Sequence, residues 1–467
     1  MLLSKSKYLL GLQCPKQFWI KIHQPDQFPE ISVNQQEIFD QGHEVGQFAK
    51  TMFPEGIDIP EDDFIGNLKK SKEVLKLGKP CFEVALCADV LYSRADILIP
   101  NGDGWDIIEV KSGTSVKDIN VEDVAFQKYV YEKCGLVIKN CYLMYVNNKF
   151  VKNGEVDVHE FFTKEDITER VDELIGTVPA KVEGMLKLMR TNIQPQTKIG
   201  LQCTTPYDCP LTDLCWDFLP EGSVFELYNI RKKKAFELLD QGIAKIGALP
   251  SSFKITDKQQ IQFKGEMHVE KEKIQGFLNG LQEPLHYMDF ESFQTAIPLC
   301  DGGWPYQQVL FQYSVHVNDQ HHEFLGKSLD CQKEFYLELK KVLGSTGSII
   351  VFSKSFEIGR LQELGEMFDD MDWANSVIDR IVDLRDVFFN FWYYNPLQKG
   401  SCSLKKVLPA VTGKDYSELA IKDGKLAGTM FLKGYADEKV CADLLAYCGL
   451  DTEGMVWIVG ALNGFVR

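Results

Sequence analysis

The sequence predicts an α/β protein made of two successive α/β units. Three observations carry that reading. Short apolar, strand-like runs recur along the 467 residues, and stretches with helical periodicity separate them. Turn-rich and polar segments interrupt the pattern between about 201 and 285. The length itself corresponds to about three domains.

The elements follow in order. Residues 35–53, "QQEIFDQGHEVGQFAKTMF", place apolar side chains at 38, 39, 45, 48 and 49, a helical spacing. "PCFEVALCADVLYSRADILIP" reads as two strands and a turn, and "WDIIEVKSG" as a third strand. "DVAFQKYVYEKCG" is a helix and "KNCYLMYVN" a further strand. Residues 164–200 are expected to be largely helical, and 201–218 to form a cysteine-bearing loop. "LYNIRKKKAFELLDQGIAKIGALP" reads as a helix, within a helical connector spanning 226–280. A second unit begins near 281. Its strands are expected at 285–291, 306–317, 321–327 and "SIIVFS", with helices near 331–344, from Phe356, and near 437–460. The expected domains are therefore 1–225 and 281–467, joined by 226–280.

Composition narrows the function. Apolar residues make up 45% and charged residues 25%, which is ordinary for a globular chain. No apolar run reaches the ~18–20 residues of a membrane helix. "MLLSKSKYLLGLQC" turns polar too soon for a secretory signal, so a cytoplasmic location with no membrane partner is expected. The net charge of −16 argues against a general basic coat for nucleic acid, though not against a local groove. Thirteen cysteines in such a chain are read as thiols or metal ligands rather than disulfides.

Asp96, Glu109 and Lys111 form the pattern D-x12-E-x-K across two adjacent strands. Two carboxylates can hold a magnesium or manganese ion against a phosphate. Glu109 and Lys111, two apart, share a strand face, where the lysine can orient water or offset phosphoryl charge. Alone, a Glu-x-Lys on a strand is more often a solvated face or an ion pair than an active site. His43 lies on the preceding helix, and Gln127 and Tyr131 are four apart on the following one. This order resembles the RecB-like branch of the PD-(D/E)XK nucleases. The resemblance implies a restriction-endonuclease-like core. His43, Asp96, Glu109 and the carbonyl of Val110 would hold the metal, Lys111 would be catalytic, and Gln127 and Tyr131 would support the site.

Cys203, Cys209 and Cys215 are five residues apart, and Cys14 lies far upstream. Four soft thiolates suit a [4Fe–4S] cluster or zinc, and the spacing decides neither. RecB-like nucleases of the CRISPR-adaptation type, and an AddB-type helicase subunit, carry one cysteine before the core and three after it. The similarity implies a cysteine-ligated cluster at Cys14, Cys203, Cys209 and Cys215, with zinc as the alternative.

"LHYMDFESF" puts Asp289 and Glu291 on one face of a strand, an unfavourable pairing unless a cation lies between them. Glu357 opens a later helix, and Tyr447 and Asp451 are four apart on the last one. The set resembles the D-x-E, D and Y-x3-D motifs of DnaQ-like exonucleases of the ribonuclease H fold, with Glu357 where Asp is usual. It implies two metal ions held by Asp289, Glu291, Glu357 and Asp451, and Tyr447 orienting water. Nearly the whole chain is similar to a bacterial family fusing a RecB-like nuclease to a DnaQ-like domain. The function so implied is metal-dependent hydrolysis of DNA rather than RNA, with helicase, repair or defence partners left open. Two other readings remain: a nucleic-acid-binding or assembly protein with an inactive C-terminal platform, and an RNA-trimming exonuclease.

Overall fold

Strand-length runs of alternating burial organise the first 218 residues around one sheet in a computed structural model, which describes residues 1–60 and 63–467. The chain divides into two units: Met1–Phe218 with Thr295–Tyr306, and Leu219–Gln294 with Gln307–Arg467. Both are α/β, as expected. The break falls at 218/219 rather than 225/226. The expected connector 226–280 lies inside the second unit, because Ile274 and Leu278 are buried in that unit's core. No helix among the described residues is long and apolar enough to cross a membrane.

The first unit has strands β1 (Leu3–Ser4), β2 (Ile57–Asp58), β3 (Cys81–Ala88), β4 (Leu91–Asn101), β5 (Gly104–Lys111), β6 (Ile138–Val146) and β7 (Phe162–Asp166). They are ordered β2-β3-β4-β5-β6-β7, and β1 pairs in parallel with β4. β3, β4 and β5 are joined as antiparallel hairpins. β5 and β6 run parallel, so the chain must cross over between them, and helix α4 (Asp118–Lys133) does so. Before it come α1 (Lys5–Gln13), α2 (Pro15–His23) and α3 (Val33–Lys50); α5 (Thr168–Ile175) and α6 (Val178–Arg190) follow it. Ser4 and Ser32 cap α1 and α3 through their side-chain oxygens, as serine does at helix starts. The two-residue period of β5 puts Ile107 in the core under α1 and α4, and Ile108 in the core under α3.

In the second unit, α7 (Lys232–Asp240) precedes strands β8 (His286–Phe293), β9 (Val309–Val317), β10 (Gln320–Leu325), β11 (Ile349–Val351) and β12 (Ile381–Asp383). Their order is β10-β9-β8-β11-β12, antiparallel from β10 to β8 and parallel from β8 to β12. Along β8, Tyr287 and Phe293 pack into one core, while Met288 and Phe290 face the opposite core with α8 (Gln332–Leu343). α9 (Ser355–Met367) follows β11; α10 (Gly424–Gly434) and α11 (Glu438–Val466) close the chain. A Cβ at Gly428 would come 2.7 Å from the Ser292 carbonyl, so glycine lets α10 lie against β8.

Two expected helices are shorter in the structure. The run 227–250 is α-helical only over Lys232–Asp240, because Gly242 turns the chain at φ +81, and a single 3-10 turn follows at Ile246–Ala248. Residues 164–200 begin in β7, and 191–200 lie beyond the end of α6.

Candidate metal centres

The Ile97–Ile108 pairing of β4 with β5 sets Asp96 and Glu109 one step further along adjacent strands. They line a cavity of about 250 Å³ with His43, Val110, Lys111, Lys5 and Glu83. Asp96 accepts the Val110 N–H at 2.7 Å. Glu109, 1% exposed, accepts Lys5 at 2.9 Å, Gln127 at 2.7 Å and Lys111. Asp123 accepts Lys111 at 2.9 Å and Gln127 at 3.0 Å. Burial alone would raise the Glu109 carboxyl, but Lys111 and Lys5 outweigh it and hold it well below the usual range. Burial, with Glu109 next to it, pushes Asp96 up to about 7. Lys111 stays firmly protonated: burial opposes its charge, and Asp123 and Glu109 override that. Tyr131 is fully buried and donates to the Val84 carbonyl at 2.7 Å, so its part is to anchor β3 to α4.

Sequence reading missed Lys5, Asp123 and Glu83 here. Asp123 was findable: it lies four residues before Gln127, on the same helix face. Lys5 carries no such signal, since 104 residues separate it from Glu109.

Cys14, Cys203, Cys209 and Cys215 line one pocket, and all four are free thiols. Cys14 sits between α1 and α2, and Cys209 N–H donates to the Cys203 carbonyl at 2.9 Å. Gln13 fastens the two segments, donating to the carbonyls of Gln202 at 2.9 Å and Tyr207 at 2.7 Å. Burial raises the Cys14 and Cys209 thiols, Cys209 to about 11, and the neighbouring cysteines add to the rise.

In the second unit, Asp289 and Glu291 share the β8 face that Tyr287 and Phe293 turn toward α11. α11 supplies Tyr447 and Asp451 one turn apart, both buried. Ligand atoms of Asp289, Glu291 and Cys448 all lie within 4.8 Å of one another. Glu357, in the first turn of α9, is buried, and its Oε2 has no hydrogen-bond partner. The Asp383 carboxylate caps this segment through the N–H groups of Ser353 at 2.9 Å and Lys354 at 3.0 Å. Burial raises Asp289 and Glu291 well above the carboxylate range, with Asp451 foremost among the charges that add to it. Burial takes Glu357 to about 8 and Asp451 to about 6. All four predicted carboxylates are thus electrostatically linked. Tyr416, which donates to Asp451, and Lys405, which offsets Glu291 and Asp451, escaped the sequence reading. Neither belongs to a periodic pattern shared with the other site residues.

Residues 286–403 match a family described as a domain of unknown function, DUF2779. Over 207 residues the chain is 28% identical to the uncharacterized protein UU173 of Ureaplasma parvum, covering 36% of this chain and 30% of that protein. It is 26% identical over 230 residues to the uncharacterized protein MG366 of Mycoplasma genitalium, covering 42% of this chain and 34% of that one. The chain thus spans about a third of the length of these relatives.

Proposed function

We propose that this chain is a metal-dependent nuclease that hydrolyses phosphodiester bonds in DNA. It would use a restriction-endonuclease-like centre in the first unit and a ribonuclease H-like 3′→5′ exonuclease centre in the second. The observation that carries the reading is the gathering of half-buried Asp289 with buried Glu291, Glu357 and Asp451, brought in by three elements, with Lys405 as the cation offsetting Glu291 and Asp451. Such a set is unfavourable for folding and is explained by the cations it can hold. The mixed β8–β12 sheet, with Asp-x-Glu on its central strand, supports the same reading.

Magnesium or manganese, when bound, would supply Lewis-acid activation of water and of a phosphoryl oxygen. Asp96, Glu109, the Val110 carbonyl and His43 would hold it in the first unit, and the four carboxylates in the second. Lys111, kept protonated by Asp123 and Glu109, orients the attacking water and offsets phosphoryl charge rather than acting as a base. Gln127 fixes Glu109 and Asp123 relative to each other. Tyr447, beside Asp451, aligns water at the second centre.

The four-cysteine pocket fits a [4Fe–4S] cluster by donor type. Four thiolates would serve zinc equally well, so zinc stands as the alternative occupant. Its role would be to clasp residue 14 to the 203–215 segment.

The test is digestion of end-labelled single- and double-stranded DNA and RNA by the full chain with Mg²⁺, Mn²⁺ or chelator. Chelator-sensitive loss of label from DNA is expected. Retention of every substrate intact under all conditions would leave a nucleic-acid-binding platform as the better reading, and degradation of RNA alone a trimming enzyme.

A further inference from the structure

Cys448 stands between Tyr447 and Asp451 on the face of α11 turned to β8. The DnaQ-like resemblance assigns it no part. A buried cysteine is ordinarily a small apolar filler. Here, however, its Sγ lies 3.8 Å from Asp289 Oδ2 and 3.9 Å from the Asp289 carbonyl oxygen. A tetrahedral cation at about 2.3 Å from sulfur and about 2.1 Å from oxygen holds those two donors about 3.6 Å apart. The spacing already present is close to that. Two further observations point to a ligand. Glu291 is 6% exposed, and its carboxylate takes no hydrogen bond or salt bridge among the described residues. Glu357 Oε2, electrostatically linked to Asp289, is buried without a hydrogen-bond partner.

We propose that Asp289, Glu291 and Cys448 form a mixed oxygen–sulfur site that takes a thiophilic divalent cation, Zn²⁺ or Cd²⁺, in competition with Mg²⁺ or Mn²⁺. Cys448 is then the residue that sets the metal preference of the second unit. The proposal rests on the reading of Asp289 and Glu291 as metal ligands. Oxygen donors alone suit Mg²⁺ and Mn²⁺, whereas one thiolate among them tips the set toward softer ions. On binding, the sulfur–hydrogen bond gives way to a sulfur–metal bond and one proton leaves to solvent. A thiophilic ion seated there occupies the carboxylates that hydrolysis needs, so it inhibits.

The experiment compares the full metal-stripped chain with Cys448→Ser, and with Cys448→Ala should the serine variant fold poorly, by Cd²⁺ titration under reducing conditions. Thiolate-to-cadmium absorption and Mn²⁺ paramagnetic resonance are the readouts. The four-cysteine pocket contributes equally to each chain and cancels. The native chain is expected to take one more equivalent of Cd²⁺ with its thiolate band than Cys448→Ser, and to release Mn²⁺ as it does so. Zn²⁺ should inhibit Asp289-dependent cleavage at least ten-fold more strongly in the native chain. Superimposable Cd²⁺ titrations, with Mn²⁺ still binding and still lost in Asp289→Asn, would overturn the proposal and leave the nuclease reading standing. Mn²⁺ and Cd²⁺ binding both indifferent to Asp289→Asn would overturn the two together.

Discussion

The two carboxylate centres solve one electrostatic problem in opposite ways. In the first unit, Lys5 and Lys111 sit against Glu109 and Asp123, so much of the buried negative charge is balanced by the chain's own ammonium groups. In the second, Lys405 is the cation that offsets Glu291 and Asp451, at no salt-bridge distance among the described residues, and burial raises Asp289, Glu291 and Asp451. Like charges in a low-dielectric site must be protonated, paired or metal-bound. On the proposed reading, the first centre therefore folds close to its working charge state, and the second would be completed by cations. The contrast predicts unequal dependence on metal.

The largest effect that could break this comparison is on cleavage. Lys111→Ala and Asp289→Ala in the full chain should each lower their own centre's activity by about 10²–10³-fold, the scale of losing one preorganised charge. The two should remove different products from a labelled DNA ladder. Undiminished cleavage by the double variant would sink both site assignments.

Stability should separate the centres next. Mn²⁺ at a hundred times its dissociation constant should add about 2.7 kcal/mol to the unit that binds it. Calorimetry of the full chain should place most of that gain in a transition that Asp289→Ala no longer shifts. An equal gain in Asp289→Ala would end the claim that the second centre depends more on metal.

Removing Lys5 should make the first centre resemble the second. Lys5→Met leaves Lys111 as the one ammonium against Glu109 and Asp123, with Gln127 their other donor, and should cost the metal-free chain about 1.5–3 kcal/mol, the scale of a hydrogen bond to a charged group. Mn²⁺ should recover part of it. A melting temperature unchanged from the native chain would show that Lys5 is solvated when the protein is in solution.

Acidity sharpens the contrast further. Glu357 rises from an ordinary 4.5 to about 8, so the folded second unit keeps a proton that the unfolded chain gives up across that window. Folded protein then binds more protons than unfolded, and metal-free stability falls as pH rises from about 4.5 to 8. Metal displaces that proton, so the Mn²⁺-induced rise in Tm should be larger at pH 8 than at pH 6. Glu109 carries the opposite sign: its contribution is present above the ordinary carboxylate range and is lost on acidification. A Mn²⁺ gain independent of pH would mean that Glu357 is no ligand.

The smallest effect concerns scaffold rather than chemistry. Tyr131→Phe deletes the hydrogen bond to the Val84 carbonyl and should cost about 1–2 kcal/mol by denaturant titration. The metal dependence of cleavage should be untouched. A change in metal affinity would place Tyr131 in the site rather than behind it.

Much of this architecture was legible in the residues alone, and for a local reason. Alternation along a strand decides that Asp289 shares a face with Glu291, and Glu109 with Lys111. The helical repeat decides that Gln127, Tyr131, Tyr447 and Asp451 fall in pairs, and apolar spacing located most strands and the longest helices. The failures were also local: 227–250 read as one helix because its apolar spacing outweighed the turn at Gly242. What periodicity cannot supply is which distant segments meet. Only packing brings Lys5 to Glu109, Gln13 to the 202–207 loop, and Tyr416 and Cys448 to the carboxylates of the second unit. The charge states followed the same division, because a carboxylate's pKa depends on the water and the charges left around it once the chain has closed, and a linear order of residues contains neither.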